Sequence, residues 1–254
     1  MHRKRMKYLS AFIQLKLFLL LHMQPHAQTP FARAYANQNH VWLIWNGTVK
    51  FNNKYSVFYD FQSRRAELVE TAQQWVARAG LLYNTSESVN FGAGYAYVET
   101  YRYGDFPVQN NFTEHRAWQQ LQLKQKFAKS TLFHRYRLEQ RWIGDSNFGA
   151  FQNPRYENRI RYMMRYNIPL FKVKEKQVYT NLWDEVMLNF GWQVGRNLFD
   201  QNRVSAQLGI SITPKVNIEL GYMNQLLQQR GATSDGKNKM ENNNTATLTV
   251  TGNF

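Results

Sequence analysis

The chain has 254 residues and no cysteine, and its 32 Lys and Arg against 17 Asp and Glu give a formal net charge of +15. Without a thiol there is no disulfide framework, thiolate nucleophile or cysteine metal site, and the length fits one domain, since barrels and sandwiches often reach this size without splitting. Phe, Tyr and Trp number 17, 15 and 7, an aromatic share of 15%, which suits aromatic girdles at a membrane interface better than a soluble core.

The amino terminus reads as a signal peptide. Arg3, Lys4, Arg5 and Lys7 form a basic start, and an apolar run from Tyr8 to Met23 follows, interrupted by Gln14 and Lys16. That run is too short and broken for the ~20 apolar residues of a spanning helix, so export and removal of residues 1–27 are expected. Ala34-Tyr35-Ala36 offers a second small-x-small site, which places the cut between Ala27 and Ala36 and the mature domain at 37–254. Loss of residues 1–27 removes five basic residues and no acidic one, leaving 27 basic against 17 acidic, a net of +10. No recognition helix, zinc finger or RNP-like stretch accompanies that charge, which argues against nucleic acid as a partner.

Beyond residue 37 the pattern is two-residue alternation, the period of a strand whose faces meet different media. Strands are expected at Val41 to Phe51, Tyr55 to Arg64, Thr71 to Asn84, Val89 to Arg102, Glu114 to Phe127, Thr131 to Trp142, Tyr156 to Ile168, Val178 to Phe190, Arg203 to Thr213, Val216 to Gln228 and Thr245 to Phe254. Most reach the ~9–11 residues that cross a bilayer at a tilt. Their connections alternate between tight turns and long polar loops, with Pro169 to Gln177 an exception on the tight side. Short turns on one side and long loops on the other are the pattern of an outer-membrane barrel. Eleven strands are countable. Because bacterial barrels have an even number, an all-β antiparallel transmembrane barrel of twelve strands is expected, with ten next and a missed strand in Phe31 to His40 or after Phe190.

The alternation is clearest in Thr131 to Ile168, where HRYRLEQRW and YENRIRYMMRYNI carry charge on one face and aromatics on the other. The charged face is assigned to the lumen: Asp60, Arg78, Glu114, Arg116, Lys124, Arg137, Glu139, Arg141, Glu157, Arg159, Arg161, Arg165, Arg203 and Glu219. Facing charges of opposite sign would lock strand register; a surplus of arginine would favour anions. Gly92 and Gly94 in FGAGYAYV lack a following helix and do not read as a phosphate loop. The seven tryptophans are read mainly as interfacial girdle residues.

The carboxyl terminus, TATLTVTGNF, alternates threonine with apolar residues and ends in Phe254, which resembles the signature read by the outer-membrane barrel assembly machinery. No catalytic constellation stands out. The mature chain has only His40, His115 and His134, none with a serine two residues away, and no spacing suits a metal. No cofactor is expected.

The segments RAWQQLQLKQKF (116–127), HRYRLEQRW (134–142), NRIRYMMRYNIPL (158–170), FDQNR (199–203) and LGYMNQ (220–225) resemble the barrel family catalogued as domain of unknown function 2490, over roughly Asn37 to Phe254. The resemblance implies an exported outer-membrane barrel of a type common in the Bacteroidota, with no assigned activity and no catalytic residues to transfer. The expected function is therefore a structural or narrow, weakly anion-preferring pore in the outer membrane of a Gram-negative bacterium. Its partners would be membrane lipid, lipopolysaccharide and a small anionic solute. An outer-membrane enzyme acting on lipid or lipopolysaccharide is the alternative.

Overall fold

The computed structural model describes residues 32–254; the expected signal peptide at 1–27 lies outside them. Eleven strands follow one another: β1 Arg33–Lys50, β2 Tyr55–Ala66, β3 Thr71–Asn84, β4 Val89–Thr100, β5 Phe112–Phe127, β6 Ser130–Ile143, β7 Arg155–Val173, β8 Lys176–Phe190, β9 Phe199–Thr213, β10 Val216–Ala232 and β11 Asn238–Asn253. Each pairs antiparallel with its sequence neighbour, and β1 meets β11 to close a barrel.

The expectation of twelve strands, or ten, is corrected to eleven. An even number is needed only if the first and last strands pair antiparallel, and here they pair parallel, unbroken from Arg33↔Asn238 to Thr48↔Asn253. Parallel bonds are evenly spaced and slanted but satisfy the edge as fully. The residues considered for a missing strand extend neighbours instead: Arg33–His40 begin β1, and Phe199 and Asp200 begin β9. Ala34-Tyr35-Ala36 and the expected domain start at residue 37 thus fall within β1. Extension also removes the anomaly at 169–177, because β7 runs on through a bulge between Pro169 and Phe171 and turns at 174–175.

One rim now carries only short connections, at 51–54, 85–88, 128–129, 174–175 and 214–215. The opposite rim carries 67–70, 101–111, 144–154, 191–198 and 233–237. An odd strand count puts the start of β1 at the loop rim and the end of β11 at the turn rim.

The outer face is an apolar band, with Leu43, Leu81, Leu138, Leu182, Leu208 and Leu248 exposed on it. Aromatics bound it on both sides. Trp75, Tyr97, Trp142, Tyr156 and Phe190 lie toward the loop rim, and Tyr55, Tyr83, Phe91, Phe127, Phe171 and Phe254 toward the turn rim, all of them exposed. Beyond the band, at the loop-rim ends of β1, β10 and β11, the outer face turns polar. Asn242 donates to Asn37 (3.0 Å) and accepts from Asn224 (2.8 Å).

Two close approaches depend on glycine. At the closing seam Gly47 lies opposite Gly252, and a Cβ on Gly47 would stand 1.7 Å from the Gly252 carbonyl oxygen. The Tyr59 hydroxyl crosses the seam there and donates to that oxygen (3.1 Å). Phe254 continues the seam, its amide donating to the Thr48 carbonyl (2.8 Å) and its carbonyl accepting from Lys50 (2.6 Å). Inside the barrel, Gly80 and Gly94 leave room for the Trp118 ring, which would lie 2.4 and 2.6 Å from a Cβ on either. Trp118 gathers Leu82, Ala96 and Phe58 into the one apolar cluster of the described interior.

Candidate functional site

The strand period sends every second side chain inward, and in this barrel the inward set is polar. Glu114, Arg116, Arg137, Glu139, Arg141, Glu157, Arg159, Arg161 and Arg203 are buried in the interior, as are Asp60 and Glu219. Arg165, partly exposed, reaches Glu219 from β7 (2.7 Å), and Lys124 and Arg78 line the same interior.

The charges alternate in sign along a continuous chain. Arg116 opposes Arg141 on the neighbouring strand, a repulsive pairing relieved by Glu114, which accepts from Arg116 Nε (2.6 Å) and Arg141 Nε (2.6 Å). Arg141 also faces Asp200 (3.7 Å) and Glu157 (3.9 Å). Asp200 accepts from Arg159 (2.7 Å), Arg159 and Arg161 share Glu139, and Arg161 passes on to Glu185 (2.8 Å), which also holds Arg135 (2.7 Å). Several links cross the lumen rather than one ladder: Arg165 to Glu219 joins β7 to β10, as does Arg230 to Glu157 (2.6 Å).

Sequence reasoning missed Glu185, Asp200, Arg64, Arg135, Arg155 and Arg230 as members of this interior. Arg135 and Arg64 were recoverable from the alternation, since Arg64 shares the parity of Asp60 and Gln62. Asp200 was not, because it sits next to the irregularity between Met187 and Leu188 and read as loop. Of the tryptophans expected to form a girdle, Trp45, Trp75 and Trp142 are exposed on the outside. The girdle reading fails for Trp42 and Trp118, which are buried inside and serve as platforms for cations. Arg64 and Arg203 stand over Trp42 at 3.9 and 4.9 Å, and Arg137 over Trp118 at 4.8 Å.

The neutralisation is incomplete. Among the described residues Arg64 bonds only Gln62 and Gln74, Arg203 only Gln201, and Arg137 only Gln120, with its Nε and Nη1 unpartnered. None of the three forms an ion pair with a described residue, and Arg137 directly opposes Arg161.

The space left inside includes three cavities. One of about 480 Å3 opens among the loops, one of about 120 Å3 lies in the middle, and one of about 620 Å3 reaches the turn rim. Arg78, Arg161 and Arg203 line both the middle and the turn-side cavity. At the loop end the segment 101–111 bends inward. Gly104, at φ +65°, has no room for a Cβ against the Gln38 amide (2.1 Å), and Tyr103 packs on His40 (5.7 Å between rings) and donates to Glu241 (3.1 Å). Burial, with the Glu241 carboxylate beside it, pushes the Tyr103 phenol well above its usual range, so it remains a donor.

His40 bonds Gln38 inside, whereas His115 and His134 lie on the outer face against Tyr95 and Tyr162. Among the described residues no group of three or more His, Asp or Glu gathers in a way that would hold a metal ion.

These features define a closed β-barrel with an arginine-rich interior. The chain belongs to the family described as protein of unknown function DUF2490, whose model matches residues 39–236. It is similar to an uncharacterized protein of Methylorubrum extorquens, 27% identical over 202 residues that cover 76% of this chain and 82% of the relative. No solved structure matches it.

Proposed function

We propose that the protein is an integral outer-membrane β-barrel of a Gram-negative bacterium, exported with a signal peptide at residues 1–27, whose lumen is a narrow, weakly anion-preferring path. The outer apolar band between two aromatic rows supports a lipid surround, because amphipathic rings sit well at headgroup depth. In this reading Phe254, at the turn rim, is the residue presented to the assembly machinery, and lipid and lipopolysaccharide surround the barrel. The observation that carries the pore reading is the waist. A solute moving between the middle and turn-side cavities meets Arg78, Arg161 and Arg203 together, and rings of arginine favour anions.

Refolded protein in planar bilayers tests it. A small conductance is expected, with a reversal potential displaced toward that of chloride in a salt gradient and moved toward zero in Arg203→Gln. Absence of conductance at any voltage would sink the pore. The enzymatic alternative would start from His134, on the outer face with its Nδ1 on the Tyr162 hydroxyl (2.8 Å). Lipid hydrolysis by the purified protein, lost in His134→Ala, would support it instead.

A further inference from the structure

We propose that the middle of the lumen is a binding site for a small free oxyanion, of the phosphate or sulfate class, held by Arg203 and Arg64, which both stand over Trp42. It deepens the pore reading and rests on it only for access of solute to the lumen.

Arg203 is 8% exposed and uses only its Nε, on Gln201 (2.8 Å); Nη1 and Nη2 have no acceptor among the described residues and are not sealed away. Both Arg203 and Arg64 line the central cavity. Eight arginines line that cavity against two carboxylates, Glu114 and Asp200. Asp60 is already engaged by Arg78 (2.8 Å) and Gln62 (3.0 Å). Glu114, which Arg116 holds, is likewise shared with Arg141.

A buried charge without a partner is strongly unfavourable. The carboxylates nearest to hand are already held by other arginines: Glu185, opposite Arg203 on β8, by Arg161 and Arg135, and Asp200, on the cavity wall, by Arg159, so the two guanidiniums describe half of an ion pair. Guanidinium forks match the paired oxygens of phosphate and sulfate, and the Trp42 ring, over which both arginines stand, stabilises each cation through its face. Arg137 is equally unpaired but sealed against Trp118 and lines none of the three cavities, so it offers an anion no access. A cavity of about 120 Å3 suits a free oxyanion rather than a lipid.

Full-length refolded barrel in detergent provides the test. Inorganic phosphate, compared with chloride at matched ionic strength, should raise the melting temperature by roughly 3 °C at ten times its dissociation constant. Arg203→Met, which keeps the apolar stem, should be at least as stable in phosphate-free buffer and should lose the phosphate shift. Should that variant not fold, equilibrium dialysis of wild type against labelled phosphate decides. One phosphate per chain, displaced by sulfate and not by chloride, supports the site, and none bound overturns it. An equal shift with chloride, an undiminished shift in Arg203→Met, or a shift with phosphatidic acid micelles but not with inorganic phosphate would each overturn it. Conductance plays no part in these readouts, so a closed pore with bound phosphate and an open pore without it are distinguishable results.

Discussion

Glu139 and Arg137 are near neighbours on β6 that send their side chains into the same interior, yet opposite consequences follow from removing them. Glu139 is 1% exposed and holds both Arg159 and Arg161. Its replacement by Gln keeps the shape but strips two buried guanidiniums of their shared counter-charge, an effect of about 3–5 kcal/mol for a broken buried pair. Arg137, 2% exposed, has no counter-charge to lose. Arg137→Met removes a buried cation and the two unpartnered nitrogens while keeping apolar contact with Trp118. Its stability should stay within about 1 kcal/mol of wild type or exceed it, since exchanging buried charge for apolar packing is often neutral or stabilising. Denaturant unfolding of the two variants in detergent measures both. A loss in Arg137→Met as large as that in Glu139→Gln would show that Arg137 has a partner after all.

At the scale of strands, the alternation that marks β5, β6 and β7 was plain in the sequence because one face is charged and the other aromatic. Assignment of faces followed for Arg116, Glu139 and Arg161 directly. What the sequence withheld was pairing. Which carboxylate meets which arginine depends on curvature bringing β6 to β9 or β7 to β10, and Asp200 enters only in that way, whereas Glu185 meets Arg161 on the adjacent strand and Arg135 one strand further on. The strand count shows a different failure. Eleven segments were visible, and an antiparallel closure rule displaced a sound count, although nothing in the residues of β1 or β11 forbids a parallel seam. Gly47 and Gly252 are the local feature that permits it, because the backbones approach too closely there for any side chain. Gly47→Ala should therefore cost about 3 kcal/mol or more, at the upper end of overpacking effects, while Gly231→Ala, on an open loop-rim position with φ +86°, should cost about 1–2 kcal/mol from backbone strain alone. Loss of the compact, heat-modifiable band on gels separates them; equal behaviour of the two would mean the seam is not closed as described.

For the whole molecule, the odd count makes a prediction about sidedness that an even barrel does not share. β1 starts at the loop rim and β11 ends at the turn rim, so if the loops face outward, as short periplasmic turns and longer outer loops require, the two ends of the barrel lie on opposite sides of the membrane. An even barrel would bring both to the turn side. The chain has no cysteine, so single cysteines report position without background. Ser234→Cys, in the loop 233–237, should react on intact cells with a polymer-linked maleimide too large for general porins, and Asn53→Cys, in the turn 51–54, only after the outer membrane is permeabilised. Arg33→Cys, exposed at the start of β1, decides between the topologies. Labelling on intact cells, alongside Ser234→Cys, is expected for eleven strands; labelling only after permeabilisation, alongside Asn53→Cys, would return the barrel to an even count. Protection of all three would place the chain elsewhere than the outer membrane.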